Sequence, residues 1–468
     1  MKIVAFCINP LFPDQVMGGA TKHLQRVAVY LGELGHQVSV LCTRREDSSE
    51  PFRWHENVEV LPLLPFHQPF PQPYAVPAHD MAAIVQTVGD YLQTADRFYM
   101  HDGEFLFPFA YQHVPTVVSL RDNVYPETLL GSFLFQGDQL ILISENSRQH
   151  FLHTAGRFFP GYADRTVVIH NGIDWNHFRP RTPDRILDII PIQPGAYPVV
   201  LHPHRPEETK GIRETLAVCD LLVHQYGFND LKVLVPKWLD LNLYPDLRTF
   251  YTSLQVEIAQ RGLTDHVIFH DWIPQSLMPE YYSLGTVTLA LGSFVESFGN
   301  AVYESLGCGT PAIPARIASH REILPDTLID KVDYGDIETA ARLAAAIIRE
   351  KRRTSTQTLA YLHERYAVEK QLAAYADVIL NAQRREPLTY RHAPITDRTR
   401  FVLPPWCYRA SRGIYHDFDA DYLQAPELDM LLEKFPQGFT FAEAQTAGIE
   451  RETVMNWYHD GYLSPLGP

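Results

Sequence analysis

Short apolar runs recur along the first 380 residues, and most are followed by a stretch whose apolar positions repeat with helical spacing. Residues 2–8 form one such run. Residues 21–35 then place Leu24, Val27, Ala28, Leu31 and Leu34 on one helical face, and residues 37–43 form a second run. Strand, helix, strand in that order is a parallel βαβ unit. The pattern predicts further strands at 97–100, 116–120, 139–144 and from 166, and a new set at 199–201, 231–236, 266–269 and 287–291. Helices are expected at 212–225, 249–261, 300–306 and 336–351, the last capped by Asp336, and residues 358–384 read as continuing helix. Residues 44–80 break the rhythm. They are rich in proline, with Phe66, His67, Phe70 and Tyr74 set among the prolines, and are expected to form a long loop with a binding role.

The turn between the run at 287–291 and the helix at 300–306 is where the chemistry concentrates. Residues 292–299 link strand to helix, so free backbone N–H groups and a positive helix end face whatever lies above, which suits an anion. Glu296 on the turn and Glu304 in the helix bracket it. At 1.5 Å rise per helical residue they lie on the order of 10 Å apart, too far to share a proton and suited to gripping two ends of an elongated polar ligand. Such a pair is equally compatible with a solvated helix surface. After the strand at 199–201 comes His202-Pro-His-Arg205-Pro-Glu-Glu-Thr-Lys210-Gly211, whose Arg205 and Lys210 can converge on one phosphate pair, although that spacing alone carries little. Polar residues also follow two earlier strands, as His101-Asp102-Gly103 and Arg121-Asp122. Such positions point into a ligand crevice in a parallel sheet, or serve as surface ion pairs.

At 468 residues with 46% hydrophobic content the chain can form two or three domains with packed cores. A net charge of -15 argues against nucleic acid as a partner, so any anion must be met by local basic residues. Cys7, Cys42, Cys219, Cys308 and Cys407 are scattered without metal or redox spacing and read as reduced core thiols of a cytoplasmic protein. The N-terminus enters a strand at once, no apolar run reaches transmembrane length, and no integral membrane segment is expected.

The string E-S-F-G-x4-E-S-L-G-C-G-T-P from Glu296 resembles the signature of retaining glycosyltransferases of the large GT-B family 4, in which E-x-F-G-x4-E-A-x-A-x-G-x-P-V recurs. Ser305 and Gly307 stand where the family favours alanine. The loop at Arg205 is similar to the family's G-R-x4-K-G, with His204 in place of the usual glycine, and N-G-I-D-x3-F-x-P at 171–180 is similar to the string that ends the family's first domain. The resemblance covers about residues 2–380. It implies a GT-B fold, two Rossmann-like doubly wound α/β domains facing each other across a cleft, here an acceptor domain at 1–180 and a nucleotide-sugar domain at 181–386 with a crossover helix. By position it places Glu296, Ser297, Phe298, Gly299 and Asn300 at the donor sugar and Glu304 at the ribose. Ile273 would lie at the base, Arg205 and Lys210 at the diphosphate, and Gly18 and Gly19 where backbone approaches that diphosphate from the other side. His101, Arg121 and Asp122 are the expected acceptor residues. Arg121 replaces a common family histidine, and because arginine stays protonated it suits fixing an anionic or hydroxyl-rich acceptor better than carrying a proton.

The implied activity is metal-independent transfer of a hexosyl group from a nucleotide sugar, UDP-linked, to an acceptor hydroxyl with retention. No cofactor beyond the donor substrate is expected. A GT-B-fold epimerase or phosphorylase, or a non-catalytic sugar- or nucleotide-binding protein, would share the architecture. No D-x-D follows a strand in a nucleotide context; Asp417-Phe-Asp419-Ala-Asp421 lies in the tail and reads as surface or interdomain polar residues. Residues 387–468 are an added piece, an aromatic coil (Phe401, Trp406, Tyr408, Tyr415, Phe418) and then short helices at 426–435, 441–447 and 451–460 resembling a winged helix. Its acidic surplus argues against DNA, leaving protein docking, self-association or a structural brace.

Overall fold

The computed structural model describes residues 1–13, 18–66, 76–102, 107–237 and 245–466. Among them the chain divides into two compact units, one of Met1–His170, Glu369–Arg409 and Gln424–Pro468, the other of Asn171–Val368 and Ala410–Leu423. Residues 387–468 are therefore shared between the two units.

The first unit is built on strands β1 (Lys2–Phe6), β2 (Gln37–Thr43), β3 (Phe52–His55), β4 (Val58–Leu64), β5 (Arg97–His101), β6 (Thr116–Leu120), β7 (Gln139–Leu142) and β8 (Thr166–Val168). They form one sheet in the order β3-β4-β2-β1-β5-β6-β7-β8, parallel except for the β3–β4 hairpin. The central strands are buried almost throughout, β6 completely, as expected of parallel strands covered on both faces. Helices α1 (Gly19–Glu33), α2 (Ala78–Leu92), α3 (Pro126–Phe133) and α4 (Glu145–His153) connect them. Helix α1 presents Leu24, Val27, Ala28 and Leu31 of the face read from the sequence to one core, whereas Leu34, expected on the same face, caps the helix end and is exposed.

Residues 44–80 are not one long loop. They carry β3 and β4, with α2 starting at Ala78, while His67, Phe70 and Tyr74 lie outside the described residues. Pro62 is accommodated because β3 pairs with β4 only as far as Val60, leaving nothing on that side for the missing proline N–H to bond. Its β2 partner, Cys42, adjoins a register shift.

The second unit has β9 (Val199–Leu201), β10 (Lys232–Pro236), β11 (Val267–His270), β12 (Val287–Ala290) and β13 (Ala312–Pro314), all parallel, in the order β11-β10-β9-β12-β13. Helices α5 (Ile212–His224), α6 (Pro245–Gln260), α7 (Met278–Leu284), α8 (Asn300–Gly307), α9 (Ile337–Glu350) and α10 (Thr356–Arg365) accompany them. Helix α9 packs Ala340, Ala341, Ala344, Ala345 and Ile347 into this core, and the Asp336 side chain caps it by accepting from Thr339 N at 3.1 Å. Residues 358–384 are not one helix. The chain breaks at Tyr366 and Ala367, where Ala367 bridges to Ile173, and resumes as α11 (Val368–Asn381). Tyr375, Ala376 and Ile379 of α11 pack into the core of the first unit.

The aromatic stretch of the tail is not coil. It forms β14 (Phe401–Val402), β15 (Cys407–Ala410), β16 (Gly413–His416) and β17 (Asp421–Leu423), with β16 and β17 an antiparallel hairpin in the second unit. Helices α12 (Pro426–Lys434), α13 (Phe441–Thr446) and α14 (Arg451–His459) follow, and β18 (Ser464–Pro465) pairs with β14 as a short wing. A Thr440–Glu443 capping box opens α13. All five cysteines are buried, and none of them forms a disulfide. Among the described residues no helix is long and apolar enough to cross a membrane.

Asp336→Ala removes the side chain that accepts from Thr339 N in the first turn of α9. It is expected to lower stability by about 1 kcal/mol, read as a lower urea midpoint with an unchanged slope.

Candidate active site

The order β11-β10-β9-β12-β13 reverses chain direction between β9 and β12, so the connections after these two neighbours leave in opposite directions and open a crevice at their carboxyl ends. Both strings singled out in the sequence lie there. The loop from β9 to α5 carries Arg205 and Lys210, and that from β12 to α8 carries Glu296 to Gly299. The loops touch backbone to backbone. A Cβ on Gly211 would overlap Gly292, one on Gly292 would overlap Thr209 O and Lys210 C, and Phe294 N donates to Thr209 O at 2.9 Å. Gly211 also has φ of 80°, which disfavours any other residue.

This contact brings Lys210 to the acidic turn. Its Nζ lies 2.7 Å from Glu296 Oε1 and 3.3 Å from the centroid of Phe294, with the side chains of Lys210 and Glu296 only 13% and 23% exposed. The ammonium is thus held by a carboxylate and an aromatic face in a partly desolvated place. Arg205 does not join that pair; it is exposed, with Nε 3.1 Å from Glu207 Oε1.

The rest of the turn is fixed from beneath. Glu296 O accepts from Ser319 N at 3.2 Å and Ser319 Oγ at 2.6 Å. Gly299 has φ of 83°, and a Cβ there would overlap the ring of His320, which in turn contacts Tyr303 Oη through Nδ1 at 3.1 Å. Phe298, expected at the sugar, has its ring buried against Tyr303 and Tyr366, which leaves only its backbone for a ligand. Ile273 is buried likewise. Ser297 Oγ is buried with no hydrogen-bond partner among the described residues, and Asn300 Oδ1 accepts from Asn171 Nδ2 at 3.2 Å. One turn into α8, Glu304 Oε2 accepts from Tyr282 Oη at 3.2 Å.

Burial, followed by the charge of Lys210, pushes His204 down to about 3. Burial likewise pushes His320 down to about 4, with Glu296 working against the shift. Both are neutral at pH 7, so Lys210 is not joined by imidazolium charge.

The first unit has its own switch point, between β1 and β5. Gly18 precedes α1, and among the described residues nothing lies within 4 Å of where a Cβ of Gly18 or Gly19 would sit. His101 is buried, its Nδ1 3.0 Å from Tyr99 Oη and its Nε2 3.0 Å from Ala20 O. Arg121 Nη1 donates to Tyr375 Oη at 3.2 Å. Asp122 is engaged locally, accepting from Val124 N, Tyr125 N and Thr128 Oγ1, each at 2.8 Å, and so fixes the entry to α3. Sequence reasoning missed His23, whose ring stacks on His101 at 5.7 Å and meets Tyr375 edge-on at 4.5 Å. Nothing in its local pattern marks it, since it occupies an ordinary inward position of α1. Burial pushes both histidines down, and Arg121 adds to the effect. Phe294, Ser319 and His320 were also missed. Phe294 lies inside the quoted turn, but its contact with Lys210 depends on a loop 80 residues earlier.

Two Rossmann-like parallel sheets of this kind define the GT-B class of α/β protein. Two family models match the chain, "Glycosyltransferase Family 4" over residues 17–177 and "Glycosyl transferases group 1" over residues 191–353, together more than half of it. The chain belongs to the group 1, family 4 glycosyltransferases. It is similar to the D-inositol 3-phosphate glycosyltransferase of Acidothermus cellulolyticus, 33% identical over 152 residues that make up 30% of this chain and 32% of that protein. The similarity thus spans about a third of that relative's length. Among solved structures, sucrose-phosphate synthase from Thermosynechococcus elongatus matches with a TM-score of 0.65 at 14% identity, covering 81% of this chain and 98% of that one. HepE of Anabaena in complex with UDP and glucose matches with a TM-score of 0.63 at 18% identity, covering 81% and 99%. At those identities the likeness is one of fold.

The depressed pKa of His320 has a consequence for stability. An unfolded histidine takes up a proton below about 6.5 and the folded one does so only near 4, so stability is lost as pH falls through that window. The expected slope from this group is up to about 1.4 kcal/mol per pH unit between pH 6 and pH 4. Urea titrations at stepped pH check it, and His320→Asn should flatten the curve in that window.

Proposed function

We propose that the protein is a retaining glycosyltransferase that moves a hexosyl group from a UDP-linked sugar to an acceptor hydroxyl. The observation that carries this reading is Lys210 Nζ held against Glu296 and Phe294 at the β9/β12 switch point, beside the N-terminus of α5. As the bond from the anomeric carbon to the diphosphate oxygen breaks, charge accumulates on the leaving group. A cation already in place stabilises that charge more in the transition state than in the ground state. One unit-charge contact at about 4 Å is worth on the order of 4 kcal/mol at an effective dielectric of 20. Lys210 supplies it, and Arg205, on the same loop and exposed, reaches the diphosphate by exchanging Glu207 for it. With lysine and arginine in this role the reaction proceeds without a metal.

The acceptor oxygen bonds to the anomeric carbon on the face the diphosphate leaves, and the departing phosphate oxygen takes the acceptor's proton. Glu296, whose backbone is pinned by Ser319, orients the sugar with the backbone of Ser297 to Asn300. Glu304, steadied by Tyr282, accepts from the ribose hydroxyls, and the backbone at Ile273 meets the base. The family resemblance assigns Gly18 and Gly19 to phosphate and Arg121 to the acceptor, with Asp122 shaping the loop that carries Arg121, while His101, buried with both ring nitrogens engaged, supports that crevice rather than touching a ligand. UDP in HepE supports the choice of base, and a phosphorylated polyol such as inositol 3-phosphate, named in the relative, belongs in the acceptor panel.

UDP and UDP-hexoses are expected to raise the melting temperature in thermal-shift assays, in proportion to occupancy. Lys210→Ala should lower kcat by about 10²- to 10³-fold, while Glu304→Ala should act mainly on donor KM. Turnover should persist in a chelator. A Lys210→Ala variant as active as wild type would end this reading.

A further inference from the structure

The donor turn rests on a short helical turn, Ala318–Arg321, and that turn is itself clamped by the tail. Ser319 of the turn holds Glu296 O through both its N and its Oγ, and His320 fills the space that only a glycine at 299 leaves. Ala318 sits at φ of 41°, a conformation an alanine does not adopt without something to hold it there. The hairpin β16–β17 supplies the hold. Asp417, at the bend of the hairpin, accepts from Arg321 Nη1 and Nη2, each at 2.7 Å, in a two-pronged pair, and from Ala318 N at 3.4 Å. Its side chain is 0% exposed and that of Arg321 17%. The sequence left Asp417, Asp419 and Asp421 as surface or interdomain polar residues; of the three, Asp417 turns inward, onto the turn beneath the donor site.

A second arm of the hairpin reaches the other side. Tyr422 Oη donates to Tyr334 O at 2.8 Å, and Tyr334 Oη donates to Glu214 Oε1 at 3.1 Å in the first turn of α5. Tyr415 packs between them, its ring 5.5 Å from Tyr334 and 5.0 Å from Tyr422. The hairpin thus meets the supports of both loops, the one carrying Glu296 and the one leading from Lys210. It lies outside both matched family spans, which cover residues 17–177 and 191–353.

We propose that the tail hairpin is a positioning element of the donor site, with Asp417 acting through Arg321 and Ser319 to fix Glu296 for the sugar. The ligand-dependent part rests on the transferase reading; the mechanical part does not. Because Glu304 and Tyr282 lie apart from this chain of contacts, loss of Asp417 should affect recognition of the sugar and spare that of the nucleotide.

The test compares full-length wild type with Asp417→Asn. Hydrogen exchange without ligand should show the amides at 295–300 and 318–322 exchanging about tenfold faster in the variant, with α9 unchanged. Calorimetry should give a UDP Kd within about twofold of wild type and a UDP-glucose Kd weakened about tenfold. Asp417→Glu, which keeps a charge for Arg321, should recover part of both effects and takes the place of Asp417→Asn if that variant folds poorly. Unchanged exchange at 295–300 overturns the proposal, as does uniform acceleration across the second unit, which would mark Asp417 as a general structural residue. A parallel fall in UDP and UDP-glucose affinity overturns it too. If wild type binds neither ligand, the transferase reading fails, and exchange at 295–300 still decides whether the hairpin governs the turn.

Discussion

The crossing of two backbones at Gly211 and Gly292 is the constraint from which the second unit's site follows. Loops leaving adjacent parallel strands ordinarily diverge, and side chains on them stay several ångströms apart. Here the missing Cβ atoms let the chains touch, and Phe294 N closes the contact on Thr209 O. Lys210 and Glu296, 86 residues apart in sequence, are set at hydrogen-bonding distance by that contact. A charge taken partly out of water needs compensation, and the carboxylate and the ring of Phe294 provide it. The position of the lysine is therefore fixed, and its desolvation met, by folding itself.

Around that crossing two imidazoles feel the charge of Lys210, those of His204 and His320, and burial holds both neutral. His320 then serves as packing against Gly299 and as a hydrogen-bond partner of Tyr303. Asp417 and Arg321 satisfy each other one layer further out. Charged groups near the crevice are thus paired or kept uncharged, which suits a site whose work is to favour negative charge at one point.

The sequence disclosed those parts of this arrangement that are local. The strand, the turn at 292–299 and α8 follow from an apolar run, a glycine and a helical period within 20 residues, and Asp336 shows itself as a cap by its place before a periodic stretch. Residues 44–80 misled because proline content outweighed the apolar run Val58-Glu-Val-Leu-Pro-Leu-Leu64; one proline past the end of its neighbour's pairing costs a strand little. The break at Tyr366 is invisible locally, since the segment is helical in propensity on both sides and the interruption comes from the bridge to Ile173. Asp417 is the sharpest instance. An alternating aspartate run reads as surface or interdomain polar residues without saying which, and Arg321, 96 residues away, helps turn one of the three inward.

The two units also differ in what their crevices can do with a proton. In the first, His23 and His101 lie stacked and buried beside Arg121, whose permanent charge adds to burial in keeping both rings neutral. A histidine held below its ordinary range is a weak base, and an arginine keeps its proton. Asp102, 3.6 Å from His101 Nε2, is the opposite case: burial pushes its carboxyl up to about 7 against the pull of Arg121. The same removal from water that weakens the two imidazoles as bases therefore brings a carboxyl to the point of changing its charge near neutrality, so in this crevice the group able to exchange a proton is the acid and not the histidines.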